Sequence, residues 1–93
     1  MEFEWDFSKE VENIRKHGVD FTEASECFFD INGFKLIDKK HSKNERRYYW
    51  VGQSKTKKIL TTRYTQRDQK IRIFGSAEWR KFRCLYDERT KAK

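Results

Sequence analysis

His41, Glu45 and Arg47 stand together in the segment HSKNERR, and Arg63, Arg67 and Arg72 follow within the stretch from Lys58 to Ala77. These residue types suffice for metal-independent cleavage of RNA. In that reaction the 2′-hydroxyl attacks the adjacent phosphate, a base removes its proton, an acid protonates the 5′ leaving oxygen, and cations stabilise the crowded phosphorane. Arginine suits the cationic task because its planar fork matches phosphate bidentately, whereas its high pKa makes it a poor base. His41 brings an imidazole of the kind that titrates near neutrality, and Glu45 a carboxylate. For His41, an exposed loop histidine and a proton-transfer group fit equally well, and Glu45 serves as readily as an ion-pair partner for Arg47 or Arg63 as it does as a base.

The arginines need a scaffold that aims them together. With Asp68 and Gln69 as a two-residue loop, strand pairing sets Arg67 opposite Lys70, Thr65 opposite Arg72 and Arg63 opposite Phe74, all on one basic face. Leu60, Thr62, Tyr64 and Gln66 then meet Ile71 and Ile73 on the other face, an apolar surface for helices to cover. A solvated strand face on a basic protein accounts for the same pattern.

Other chemistries lack local support. There is no GxxxxGK loop, GxSxG elbow or HExxH helix, and no carboxylate cluster for a metal-dependent nuclease, so neither metal nor cofactor is expected. Cys27 and Cys84 are isolated among apolar neighbours, which predicts buried, reduced thiols. His17, in KHG, fits a helix end complementing the dipole better than a catalytic group. Trp79 reads as core before base-stacking platform, while Arg80 and Lys81 are candidate phosphate contacts.

The 93 residues carry 22 Lys and Arg against 15 Asp and Glu, a formal charge of +7, with 16% aromatic residues. Such a balance points to a polyanion, nucleic acid first. No apolar run reaches transmembrane length, the acidic start is unlike a signal peptide, and no basic amphipathic helix or lipidation signal supports membrane binding, so a cytoplasmic protein is expected. Residues 1–90 should form a single domain, with 91–93 a frayed basic tail.

Taken in order, Phe3 and Trp5 alternate with Glu2 and Glu4 in a short strand at most. Asp6 or Ser8 can cap a helix in which Phe7, Val11 and Ile14 share a face and which Gly18 ends. Asp20 with Glu23 resembles a capping box for a second helix burying Phe21, Ala24 and Phe28. Strands follow at Phe34–Ile37, Arg47–Val51 and in the hairpin, which Gly75 and Ser76 break. Ser76 can then cap a C-terminal helix with Trp79, Phe82 and Tyr86 on one side. The predicted class is α+β: two N-terminal helices, an antiparallel meander of three to four strands and a C-terminal helix.

FEWD at Phe3–Asp6, KHGVDF at Lys16–Phe21 with Glu23 and Ala24, HSKNERR, YTQRDQKIRI and GSAEWRK at Gly75–Lys81 together resemble the BrnT family of toxins across nearly the whole chain. The resemblance implies a RelE-like fold, RNA cleavage and inhibition of translation. It also implies neutralisation by a ribbon-helix-helix antitoxin of BrnA type, with operator DNA bound through that antitoxin and a possible homodimer within a toxin–antitoxin heterotetramer. His41, Glu45, Arg47, Arg67 and Arg72 occupy matching motif positions. Many members carry Ile-Ser-Ala-Arg after the Arg-Ile of the last strand. Here Phe74, Gly75, Ser76 and Ala77 stand there, and a subgroup with a Trp-Arg-Lys helix start offers Arg80 as the replacement.

The candidate catalytic set is therefore His41, Glu45, Arg47, Arg63, Arg67 and Arg72, and the RNA-binding set Lys16, His17, Lys70, Arg80 and Lys81. A non-catalytic RNA-binding or protein-interaction module on the same scaffold is the alternative.

Overall fold

The first turn of the chain after its opening strand is fixed by a side chain: the carboxylate of Asp6 accepts from the Lys9 backbone N–H, which starts helix α1 (Phe7–His17) in the computed structural model. The structure describes residues 1–91. Gly18, at φ 69°, ends α1 in the left-handed conformation and donates to the Ile14 carbonyl, with Arg15, Lys16 and His17 in the last turn. Asp20 caps α2 (Phe21–Glu26), which tightens into a 3-10 turn at Cys27–Phe29. Only half of the expected capping box forms, because the Glu23 carboxylate accepts from the Ser54 and Thr56 hydroxyls instead.

The sheet has five strands, β1 (Glu2–Trp5), β2 (Phe34–Ile37), β3 (Tyr48–Gln53), β4 (Ile59–Arg67) and β5 (Lys70–Ala77), in the order β1-β5-β4-β3-β2. Strands β2 to β5 are the expected antiparallel meander, but β1 lies parallel against β5, so the sheet is mixed and larger than three to four strands. Helix α3 (Arg80–Lys91) closes the described chain, and residues 92–93 of the expected tail lie outside the described residues. No helix among the described residues is long and apolar enough to cross a membrane.

Two faces of the sheet are used differently. On one, Ile71, Ile73 and Tyr64 pack on Phe21, Ala24 and Phe28 of the α2 region, joined by Phe3, Trp5, Tyr48 and Trp50. On the other, α3 lays Tyr86, Phe82 and Leu85 over Phe34, Val51 and Ile59, and Trp79 meets Tyr49 and Phe82 edge-on or tilted. The half of that second face formed by the end of β4 and the start of β5 carries the arginines.

Several expectations change for identifiable reasons. Strand β5 runs through Gly75 and Ser76 to Ala77, because β4 goes on pairing with it there, while at its other edge, past the end of β1, the Asn13 amide donates to the Ser76 carbonyl and the Asn13 oxygen accepts the Ser76 N–H. Ser76 is thus a strand residue whose hydroxyl meets that of Thr62, and α3 starts only at Arg80. That use of β5's edge keeps Asn13, rather than the apolar row, as the buried side of α1, so Phe7, Val11 and Ile14 are exposed. Cys27 is buried, and desolvation pushes its thiol up to about 12, but Cys84 is exposed on the outer side of α3.

Candidate active site

The hairpin that carries the arginines turns at Asp68 and Gln69, both at positive φ (51° and 68°), the geometry of a two-residue turn matched to strand twist. Arg67 therefore pairs with Lys70 and Thr65 with Arg72, as expected. Further along, the register shifts between Arg63 and Tyr64, and Phe74 becomes the extra residue of a bulge, so Arg63 lies opposite Gly75 and not Phe74. The bulge turns the Phe74 ring toward the site, where the Lys9 ammonium sits 5.0 Å and the Arg47 guanidinium 4.3 Å from its centroid.

Gly75 matters through the side chain it lacks. A Cβ there would come within 3.0 Å of Arg63 Nη2 and 3.4 Å of Nε, so the guanidinium occupies the trough that glycine leaves. Since the contact is with the far end of a flexible side chain, Gly75→Ala should displace Arg63 without unfolding the chain. We expect about a 10-fold loss of cleavage at an unchanged melting temperature, a misplacement effect; kinetics and a thermal melt on the same preparation check it, and an equally active variant would remove Arg63 from the machinery.

The segment 38–47 is a closed loop. The Asp38 N–H donates to the Arg47 carbonyl at 2.9 Å, the Ser42 hydroxyl donates to the Asp38 carbonyl, and the Arg47 N–H donates to that hydroxyl at 2.9 Å. Thr65 of β4 ties the loop down by donating to the Arg46 carbonyl at 2.7 Å. Inside the loop a short 3-10 turn at Lys39–His41 is capped by Asp38, whose buried carboxylate accepts from the His41 N–H and lies 2.9 Å from His41 Nδ1. The same carboxylate, after burial itself, holds the Tyr49 phenol above its ordinary range.

Glu45 pairs with neither Arg63 nor chiefly Arg47. Its two oxygens accept bidentately from Arg67 at 2.8 and 2.9 Å, and Arg47 stands off at 3.8 Å. The Arg67 hydrogen bonds first, then the charges of Arg67, Arg47 and Arg72, hold the Glu45 carboxyl below its ordinary value of 4.5. Arg72 is engaged elsewhere, donating to Glu4 at 3.0 Å, since the parallel pairing of β1 sets Glu4 beside it. The hairpin face is thus less purely basic than its sequence, with Glu2 near Lys70 at 3.9 Å.

Two open clefts result. One is lined by Lys40, His41, Lys43, Glu45, Arg47 and Arg67, the other by Lys9, Lys16, His17, Arg47, Arg63 and Phe74 on the α1 side, together with the Glu12 carboxylate, which pairs with Lys16 at 3.5 Å. Arg47 lines both. The structure so gathers His41, Glu45, Arg47 and Arg67 at one cleft and Lys16, His17 and Arg63 at the next. Lys70 and Arg72 lie on the flanking hairpin, and Arg80 and Lys81 belong to neither cleft: Arg80 lines a separate hollow with Glu78, Trp79, Arg83, Cys84 and Asp87, and Lys81 covers Phe82. Lys9, Phe74 and Asp38 were not among the sequence candidates. Gly75 was the available signal for Phe74, because a glycine inside a strand often marks a bulge. No group of three or more His, Cys, Asp or Glu among the described residues has the geometry to hold a metal ion.

Comparisons with known proteins agree with this architecture. The crystal structure of the Brucella abortus ribonuclease toxin BrnT superposes with a TM-score of 0.65 at 18% identity, covering 85% of this chain and 96% of that one, a likeness of fold. A search of curated proteins found no match. The sequence model of the family described as ribonuclease toxin, BrnT, of type II toxin–antitoxin systems matches residues 5–81, most of the sequence. The chain belongs to the BrnT family of type II ribonuclease toxins.

Proposed function

We propose that this ribonuclease toxin cleaves RNA without a metal ion, by attack of the 2′-hydroxyl on the adjacent phosphate in the cleft between the 38–47 loop and the hairpin. The observation that carries the reading is the meeting of His41, Glu45 and Arg47 of the 38–47 loop with Arg67 of the hairpin, twenty residues further on, on the walls of one open cleft. His41 accepts the 2′-hydroxyl proton as the O2′–P bond forms, and the P–O5′ bond breaks with the departing 5′-oxygen taking its proton from water. Glu45 is a weak candidate for that task, because a carboxyl held below its ordinary range by guanidinium groups binds a proton poorly; its part is to hold the Arg67 fork. Arg47 stabilises the phosphorane, Arg67 joins it when phosphate displaces Glu45, and Arg63, on the wall of the second cleft, grips the adjoining phosphate. Arg72, tied to Glu4, supplies field rather than contact. Lys16 and His17 hold the neighbouring phosphate in the second cleft, Lys70 a more distant one, and Arg80 and Lys81 are peripheral.

The antitoxin partner of this family is in our reading a ribbon-helix-helix protein of BrnA type, carrying operator DNA, in a heterotetramer with two copies of this chain. Because the apolar side of α3 is already packed on the sheet, an acidic antitoxin segment would mask the hairpin face and the clefts.

Cleavage is expected to survive EDTA and to leave 2′,3′-cyclic or 3′-phosphate ends, which product analysis of a labelled RNA reads directly. Loss of activity on chelation, or 5′-phosphate products, would point to metal-assisted hydrolysis. One observation favours a non-catalytic RNA-binding module: Arg67 and Arg72 each already meet a carboxylate. Binding with no product under the same conditions would select it.

A further inference from the structure

We infer that Asp38 is a positioning residue for the reaction, fixing His41 in the tautomer that carries its proton on Nδ1 and leaves Nε2 as the acceptor on the cleft wall. The inference rests on the reading of His41 as the proton-transfer group and adds what makes it competent.

The physical reason is the mismatch in burial between the two groups. The Asp38 side chain is only 5% exposed, whereas that of His41 is 44% exposed and lines the cleft. A carboxylate without a proton can only accept, so the ring nitrogen facing it must donate, and the facing nitrogen is Nδ1, 2.9 Å from Oδ2 and 3.1 Å from Oδ1. The neutral imidazole has one N–H, and spending it on Asp38 leaves Nε2 with a free lone pair. When the imidazole takes a second proton, the buried carboxylate beside it is poised to stabilise the imidazolium, the division of labour of a base and its orienting acid.

A plainer role for Asp38 is as the cap of the 3-10 turn Lys39–His41, through its bond from the His41 N–H. The two roles separate in Asp38→Asn. Asparagine caps as well as aspartate does, since its oxygen can still accept from the His41 N–H. Its amide, turned to the ring, donates where the carboxylate accepted, which drives the imidazole proton to Nε2 and blocks the base. A cap alone predicts no loss in Asp38→Asn; positioning predicts a large one.

The test is nitrogen-15 NMR of the whole chain in the neutral-imidazole range, with the His41→Ala spectrum distinguishing His41 from His17, beside steady-state cleavage of a model RNA. Wild type should show His41 protonated at Nδ1, and Asp38→Asn should show the reverse. Its kcat should fall by about 10²-fold or more at an unchanged KM, the size of a general-base contribution. The wild-type spectrum decides even where the variant melts early: a ring protonated at Nε2 overturns the inference. Asp38→Asn with wild-type kcat overturns it too, leaving the His41 reading standing. Full activity in His41→Ala instead removes His41 from proton transfer, and the role of Asp38 falls with it.

Discussion

Alanine at Arg47 is expected to lower RNA cleavage by about 10²-fold to 10³-fold, the usual loss when one preorganised donor to a transition-state anion is removed. Arg47 is singled out because it lines both clefts, so a phosphate in either one meets its guanidinium. Its fork is held on two sides, 4.3 Å from the Phe74 ring centroid and 3.8 Å from Glu45, on a backbone locked to Asp38 and Ser42 by the loop. None of those backbone bonds involves the side chain, so alanine keeps the loop closed. The exposed ion pair and ring contact it removes are worth about 1 kcal/mol or less. Arg47→Lys sharpens the test, because it keeps the charge while losing the planar fork and the stack. Growth inhibition, cleavage rates and melts measured together check the outcome, and a fully toxic Arg47→Ala would sink the two-cleft arrangement.

The second large effect is on stability and falls on the neighbour of an arginine. Ile73→Ala should destabilise the fold by roughly 2–5 kcal/mol, as large-to-small changes in closed cores do. Ile73 is fully buried among Phe21, Phe28, Tyr64 and Ile71, under the α2 region. For a domain of this size that loss corresponds to a melting shift on the order of 10 °C or more. Below its melt the variant should retain the specific activity of the parent, since the cavity opens on the face away from the clefts. Arg72→Ala, one residue earlier and on the opposite face, should behave in the contrary way: it removes a partly buried ion pair with Glu4 and opens no core cavity, so stability falls by about 1 kcal/mol. Comparable early melting in both variants would show that the arginine face is scaffold.

That alternation was legible in the sequence because a strand's period of two needs no partner to be read. Leu60, Tyr64, Ile71 and Ile73 fall on one face and Arg63, Arg67 and Arg72 on the other whatever covers them. Local chemistry also fixed the caps at Asp6 and Asp20, the left-handed Gly18 and the two-residue turn. The family motif reached His41, Glu45 and Arg47 by type and order. What only the tertiary structure decided are relations between segments that no local period encodes. The parallel pairing of Glu2–Trp5 with β5 turns Arg72 into Glu4's partner. The Asn13 side chain bonds the free edge of β5 at Ser76, so that the apolar row of α1 faces outward. The bulge at Phe74 moves Arg63 onto Gly75, and the burial of Asp38 sets the side of the imidazole from which His41 is held. In each case the deciding interaction is a backbone edge or a buried polar group meeting a side chain from elsewhere in the fold, and its free energy exists only once the chain has brought the two together.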